Sequence, residues 1–214
     1  MSILIHFLEP WHFPLHEALP RLSSEEREQV ERFVFEKDAC RWASYRAQVR
    51  AHLGKHLGVS PDQVDWRTEE HGKPYLPGVP VHFNVSHCDD LGVLALSKLG
   101  PLGIDLEARS RAPELVGCEA AFCHPDECVE VGALPPADRP IRLLEIWTAK
   151  EAALKCLGTG LTHSPQEVMI SNQRAIGELA SLDELTIHRP EHPLLARHMV
   201  ALATAEKTPD WIWL

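Results

Sequence analysis

The stretch Gly103-Ile104-Asp105-Leu106-Glu107 constrains this chain more than any other, because apolar and acidic side chains alternate along it. Successive side chains of a strand point to opposite faces, so a strand here turns Ile104 and Leu106 one way and Asp105 and Glu107 the other. The fold must supply a core for one face and something to hold two carboxylates on the other. A second fixed piece is Glu145-Ile146-Trp147-Thr148-Ala149-Lys150-Glu151-Ala152-Ala153-Leu154-Lys155, rich in helix formers and followed by Gly158 and Gly160. That composition predicts a helix ending at the glycines, with Glu151 and Lys155 on one face.

Two carboxylates on one strand face repel unless a positive charge lies between them or one takes a proton. A divalent cation is the simplest remedy. Carboxylate oxygens completed by waters and a substrate phosphate suit magnesium better than zinc or copper. With Glu151 as a third ligand, Lys155 one turn on can meet phosphate oxygens, which points to phosphoryl chemistry. The plain alternatives are an exposed strand face for Asp105 and Glu107, and an ordinary helix ion pair for Glu151 and Lys155.

Read in order, Ile3 to Leu8 is an opening strand, and Ser23-Ser24-Glu25-Glu26 is a helix start with a capping serine and acids in the first turn. Helical pattern runs from about Glu25 to Leu57, with a break, and ends at Gly58. Gly72-Lys73-Pro74 is a turn with a lysine at its tip. Val81 to His87 alternates as a strand that puts His82, Asn84 and Ser86 on one face. Gly92 to Ser97 reads as the next strand, joined to Gly103-Glu107 as a hairpin. Helical patches follow around Glu114 to Ala121 and after Pro125. Val168–Ile170, Leu185–His188, His198–Ala203 and Trp211–Trp213 read as strands of a second sheet. The order gives two α+β halves of similar length, residues 1–101 and 102–214, with a joint at Leu99-Gly100-Pro101.

Acids outnumber bases 31 to 21, a net charge of −10, which argues against nucleic acid or anionic membrane as a partner. Lys37, Arg41, Arg46, Arg50 and Lys55 nevertheless cluster in one helix, which suits a confined anionic ligand, although most of them read as a solvated face. The six cysteines are scattered and read as free thiols. Cys118, Cys123, His124 and Cys128 lack the close pairs of zinc ribbons. No stretch has the composition of a membrane span or signal peptide, so a cytoplasmic monomer is expected.

Five motifs in sequence carry a resemblance. Gly72-Lys73-Pro74, Phe83-Asn84-Val85-Ser86-His87, Gly103 to Glu107, Phe122 to Glu127, and Trp147-x-x-Lys150-Glu151-Ala152-x-x-Lys155-x-x-Gly158-x-Gly160 together resemble the 4′-phosphopantetheinyl transferase superfamily, in its longer, surfactin-synthetase-associated type. The similarity covers about residues 33 to 207. It implies a pseudo-two-fold arrangement of two similar α+β lobes in one chain, with coenzyme A between them. It also implies transfer of phosphopantetheine from coenzyme A to a serine of an apo acyl or peptidyl carrier protein.

By that resemblance Asp105, Glu107 and Glu151 hold Mg2+, Glu151 is the general base, and Lys155 steadies the phosphates. Arg41, Lys73, Ser86 and His87 clasp the nucleotide end. Relatives keep a glutamate near the metal at the position of Glu127. Lysines found upstream in many relatives are missing from Glu25 to Arg32, leaving Arg27 or Lys37 as substitutes. The rival readings are a noncatalytic binder of coenzyme A or carrier, and a metal-dependent phosphohydrolase.

Overall fold

Ser23 caps the first substantial helix as expected: its hydroxyl accepts from the Glu26 amide, and the Glu26 carboxylate accepts from the Ser23 amide in return. The computed structural model describes residues 2–88, 90–179 and 181–214. Strand β1 (Ile3–Leu8) leads into α1 (Leu15–Ala18), α2 (Ser24–Glu31) and the long α3 (Glu36–Leu57). A ribbon of β2 (Arg67–Thr68) and β3 (Pro74–Tyr75) precedes β4 (His82–His87), β5 (Gly92–Ser97) and β6 (Leu102–Ala108). Then come α4 (Glu119–Phe122), α5 (Pro125–Ala133) and the second long helix, α6 (Arg139–Leu157). Strands β7 (Met169–Ser171), β8 (Arg174–Ile176), β9 (Thr186–His188), β10 (His198–Thr204) and β11 (Trp211–Trp213) complete the described chain.

Besides the β2–β3 ribbon, the described residues form two larger sheets, ordered β11-β1-β5-β4 and β6-β10-β9-β8-β7. Their cores share a plan. In the first, β1 lies antiparallel to β5 and β5 to β4; in the second, β6 lies antiparallel to β10 and β10 to β9. Each sheet is covered by one long helix that stops at a left-handed glycine, Gly58 after α3 and Gly158 after α6, both with φ 74°. This is an α+β architecture with two topologically matching halves.

Alternation sets the layers. On β5, Val93 and Ala95 face the second sheet while Leu94 and Leu96 pack under Tyr45, Val49 and Leu53 of α3. On β10, Val200 and Leu202 face the first sheet while Ala201 and Ala203 pack under Ala149, Ala152 and Ala153 of α6. Both strands are buried throughout, and both therefore read as unbroken apolar runs.

Three expectations change. Gly92–Ser97 and Gly103–Glu107 do not form a hairpin: β5 pairs with β1 and β4, whereas β6 turns away to pair with β10 in the other sheet. Trp211–Trp213 joins the first sheet rather than the second, lying parallel to β1 with Trp213 stacked on Phe7 at 4.7 Å. Arg50 is not solvated; it is 3% exposed, paired with Glu26, and donates to the carbonyls of Pro61 and Val64 at 3.0 Å. All six cysteines are free, as expected. Among the described residues no helix is long and apolar enough to cross a membrane.

Candidate active site at the seam of the two sheets

β4 and β6 meet edge to edge without a backbone ladder. Instead Asn84 Oδ1 accepts from the Ile104 amide at 2.9 Å, and Ser86 Oγ accepts from the Leu106 amide at 3.1 Å. The expected alternation of β4 thus has a use: Asn84 and Ser86 share a face because every second amide of β6 needs a partner there. The sequence reading placed Asn84 on that face but missed its task.

β6 presents the other face to α6. At Gly103 an added Cβ would stand 2.1 Å from the Ala152 carbonyl oxygen and 2.4 Å from the Cys156 amide nitrogen, so glycine is needed for the helix to lie this close. Two residues along, Asp105 Oδ1 is 2.6 Å from Lys155 Nζ and accepts from Ser86 Oγ at 2.9 Å, while Lys155 Nζ also donates to Ser86 Oγ at 3.1 Å. Three elements from both halves of the chain therefore converge on one buried carboxylate. Its second oxygen, Oδ2, is buried and has no hydrogen-bond partner.

Glu107 is held differently. Both its oxygens accept from Arg111, at 2.8 and 2.7 Å, and Oε1 also accepts from Trp147 Nε1 at 3.1 Å. Trp147 otherwise packs edge-on against Phe122, so it belongs partly to the core and partly to the site. Glu151 lies on the same face of α6 as Lys155 and is half-buried. Burial pushes its pKa up, the nearby Asp105 and Glu107 carboxylates push the same way, and Lys155 opposes them. The oxygens of Asp105, Glu107 and Glu151 are not all drawn within 4.8 Å of one another; in this structure Lys155 meets the charge of Asp105 and Arg111 that of Glu107.

Beside this seam lies a cavity of about 470 Å3 between α3 and β4, lined by Arg41, Trp42, Tyr45, Arg46, Trp66 and His87 among others. His87 stacks on Tyr45 at 4.9 Å, and Arg46 lies over Trp42 at 5.1 Å and Trp66 at 4.7 Å. Burial lowers the His87 pKa, and the charges of Lys155, Arg41 and Arg46 lower it further, which favours the neutral ring. Aromatic faces beside guanidinium groups suit a flat base next to phosphates. Arg41 also pairs with Asp38 at 3.4 Å.

The remaining expected residues lie elsewhere. Lys73 is outside the cavity lining; its Nζ donates to the Cys156 carbonyl at the C-terminal end of α6, where a cation is favoured. Arg27 donates to the carbonyls of Leu19 and Leu22, and Lys37 lies over Trp11, so neither lines the cavity. Glu127 is buried against Lys150 at 2.5 Å, and its oxygens also accept from the amides of His124 and Ile170. That makes Glu127 a brace between α5, α6 and β7. Among the described residues, Cys118, Cys123, His124 and Cys128 form no metal-ligating group.

A family model described as the 4′-phosphopantetheinyl transferase superfamily matches residues 101–203, and one described as 4′-phosphopantetheinyl transferase, N-terminal, matches residues 9–99. The chain is 31% identical over 172 residues to the 4′-phosphopantetheinyl transferase HetI of Nostoc sp., covering 75% of this chain and 73% of that protein. It is 32% identical over 142 residues to a 4′-phosphopantetheinyl transferase of Bacillus subtilis, covering 66% of this chain and 62% of that one, just under two thirds. The crystal structure of Thermotoga maritima holo-acyl-carrier-protein synthase overlaps 48% of this chain and 61% of its own, with a TM-score of 0.39 and 24% identity. On the family models and the HetI relative, the chain belongs to the 4′-phosphopantetheinyl transferase superfamily.

Proposed function

We propose that this protein moves the 4′-phosphopantetheine group of coenzyme A onto a serine hydroxyl of an apo acyl or peptidyl carrier protein. The products are holo carrier and adenosine 3′,5′-bisphosphate. Family membership supports the reaction. The observation that carries the choice of centre is the buried Asp105 carboxylate, with one oxygen shared by Ser86 and Lys155 and the other left without a partner. An orphaned buried carboxylate oxygen is costly unless a ligand completes it.

Asp105, Glu107 and Glu151 would hold magnesium, whose hard-oxygen preference their carboxylates fit; when bound it supplies charge neutralisation to the coenzyme A pyrophosphate. Lys155, fixed on Asp105, steadies negative charge that builds up as the phosphoryl bond breaks. Glu151 accepts the proton of the serine hydroxyl. The serine oxygen bonds to the phosphorus that carries pantetheine, and the bond to the bridging oxygen breaks with its electron pair leaving on the bisphosphate. Arg41 and His87 hold the nucleotide from the cavity, Ser86 from the seam, and Lys73 from beyond it. Coenzyme A lies between a lobe of residues 1–101 and one of 102–214, and the protein acts as a cytoplasmic monomer.

The test is to mix the protein with coenzyme A, magnesium and an apo carrier and to weigh the carrier by mass spectrometry. A carrier heavier by one phosphopantetheine is expected, together with its loss in Asp105→Ala while circular dichroism stays that of the wild type. Cleaved coenzyme A with an unchanged carrier would mean a phosphohydrolase, and neither product would mean a binder. Full turnover by Asp105→Ala would refute the centre while leaving the family assignment in place.

A further inference from the structure

A second cluster of ligating side chains lies where the β4–β5 loop meets the start of β10. Cys88 follows β4 directly, Asp90 is two residues further, and His198 opens β10 in the other sheet. A sulfur, a carboxylate oxygen and a ring nitrogen from these three all lie within 4.8 Å of one another, and no other such trio occurs among the described residues. Cys88 Sγ is 3.5 Å from Asp90 Oδ1, and His198 Nε2 is 2.9 Å from the same oxygen. None of the three takes part in the Asp105 centre, and the transfer reaction proposed above makes no use of them.

We propose that Cys88, Asp90 and His198 form a zinc site, with water as the fourth ligand. One sulfur, one imidazole nitrogen and one carboxylate oxygen are a donor set for zinc and not for magnesium or calcium, which take oxygen alone. With Zn–S near ~2.3 Å and Zn–N and Zn–O near ~2.0–2.2 Å, neighbouring donors of a tetrahedron stand roughly 3.3–3.6 Å apart. The Cys88–Asp90 separation already meets that spacing. The Asp90–His198 pair needs to open by a few tenths of an ångström, and Asp90 can give way because 63% of its side chain is exposed.

The other two donors are fixed by the fold. His198 is 6% exposed, is in register with Ala108 of β6, and has its carbonyl bound by Arg109 Nε at 2.9 Å. The Cys88 amide donates to the Leu91 carbonyl at 2.9 Å, which sets the turn that carries the thiol. Donors on strand ends are held more firmly than donors in mid-loop. His198 Nδ1 is buried without a partner, so zinc on Nε2 would move the ring proton to Nδ1 and the filled site needs an acceptor such as water there. An Asp90–His198 hydrogen bond by itself explains the 2.9 Å separation but not a thiol within reach of both. Zinc here ties the loop after β4 to β10, one sheet to the other, next door to His87.

Cobalt(II) is the probe, because a thiolate ligand gives it an intense near-ultraviolet charge-transfer absorption. Protein stripped with chelator is titrated without coenzyme A or carrier, so the outcome is independent of the transfer reaction. One equivalent of cobalt should bring up the band and zinc should abolish it. Cys88→Ser should lack the band, and Asp90→Asn should bind cobalt about tenfold or more weakly. Zinc should also raise the thermal midpoint of the wild type and leave that of Cys88→Ser unmoved. Circular dichroism checks that Cys88→Ser is folded; should it not be, the exposed Asp90→Asn decides. Absence of a thiolate band in the wild type, the same band in folded Cys88→Ser, or undiminished affinity in Asp90→Asn overturns the site.

Discussion

Glu151 shows how a residue's chemistry is made by its neighbours. Burial and two nearby carboxylates hold its pKa above the ordinary value, against the pull of Lys155. The form that accepts a proton is the ionised one, and a raised pKa means that this form is lost at a higher pH on acidification than for an ordinary glutamate near ~4.3. Carbon-13 NMR titration of the metal-free protein should therefore place the Glu151 midpoint above that value, and Glu151→Gln should slow transfer by about 10²-fold or more at saturating magnesium. Full turnover by Glu151→Gln would assign the base elsewhere. At this scale the sequence was informative about Asp105, Ser86 and Lys155, whose spacing alone places them on particular faces. It was silent about Lys150, which is wholly buried on Glu127 and the carbonyls of Phe122 and Pro165, because a lysine in a helix of good formers carries no local sign that it will be desolvated.

Between elements, the contact that matters most is α6 on β6. Gly103 lets the helix lie directly on the strand, and the same approach brings Lys155 to Asp105 and Trp147 to Glu107. Gly103→Ala puts a methyl group into backbone that cannot yield, so it should cost about 1–3 kcal/mol of stability and lower turnover as well. Denaturant unfolding and the carrier mass assay read the two effects; a variant as stable and as active as the wild type would show that the helix can shift freely. Element ends were legible because their signals are local: the Ser23 and Glu26 box, Gly58 and Gly158. Partners were not. β5 and β6 are close in sequence and separated by a turn, yet both edges of β5 are taken by β1 and β4, and nothing in a turn motif reports that competition.

For the molecule as a whole, burial of histidines sets the response to acid. His6 is lowered to about 4, by burial first and then by His52, Lys55 and His56, and its ring lies tilted against that of His52 at 4.0 Å. His52, His82, His87 and His188 are lowered as well, each chiefly by burial. Unfolded, such residues take up protons near pH ~6.5, whereas folded they resist until lower pH, so stability is fully present above that value and drains away as pH falls toward 4. The thermal midpoint should decline steadily over this window, and less steeply in His6→Gln; a midpoint flat from pH 7 to 5 would contradict this. Matching topology in the two halves was foreshadowed by the order of elements, but the return of β11 to the first sheet was not, since three apolar residues fit either sheet's edge.

Along the β4–β6 seam, what joins the halves is a pair of rotatable polar side chains, not a ladder of main-chain pairs. Turning either side chain away would leave a buried amide of β6 without its acceptor, while β4 and β6 each keep the ladder on their other edge.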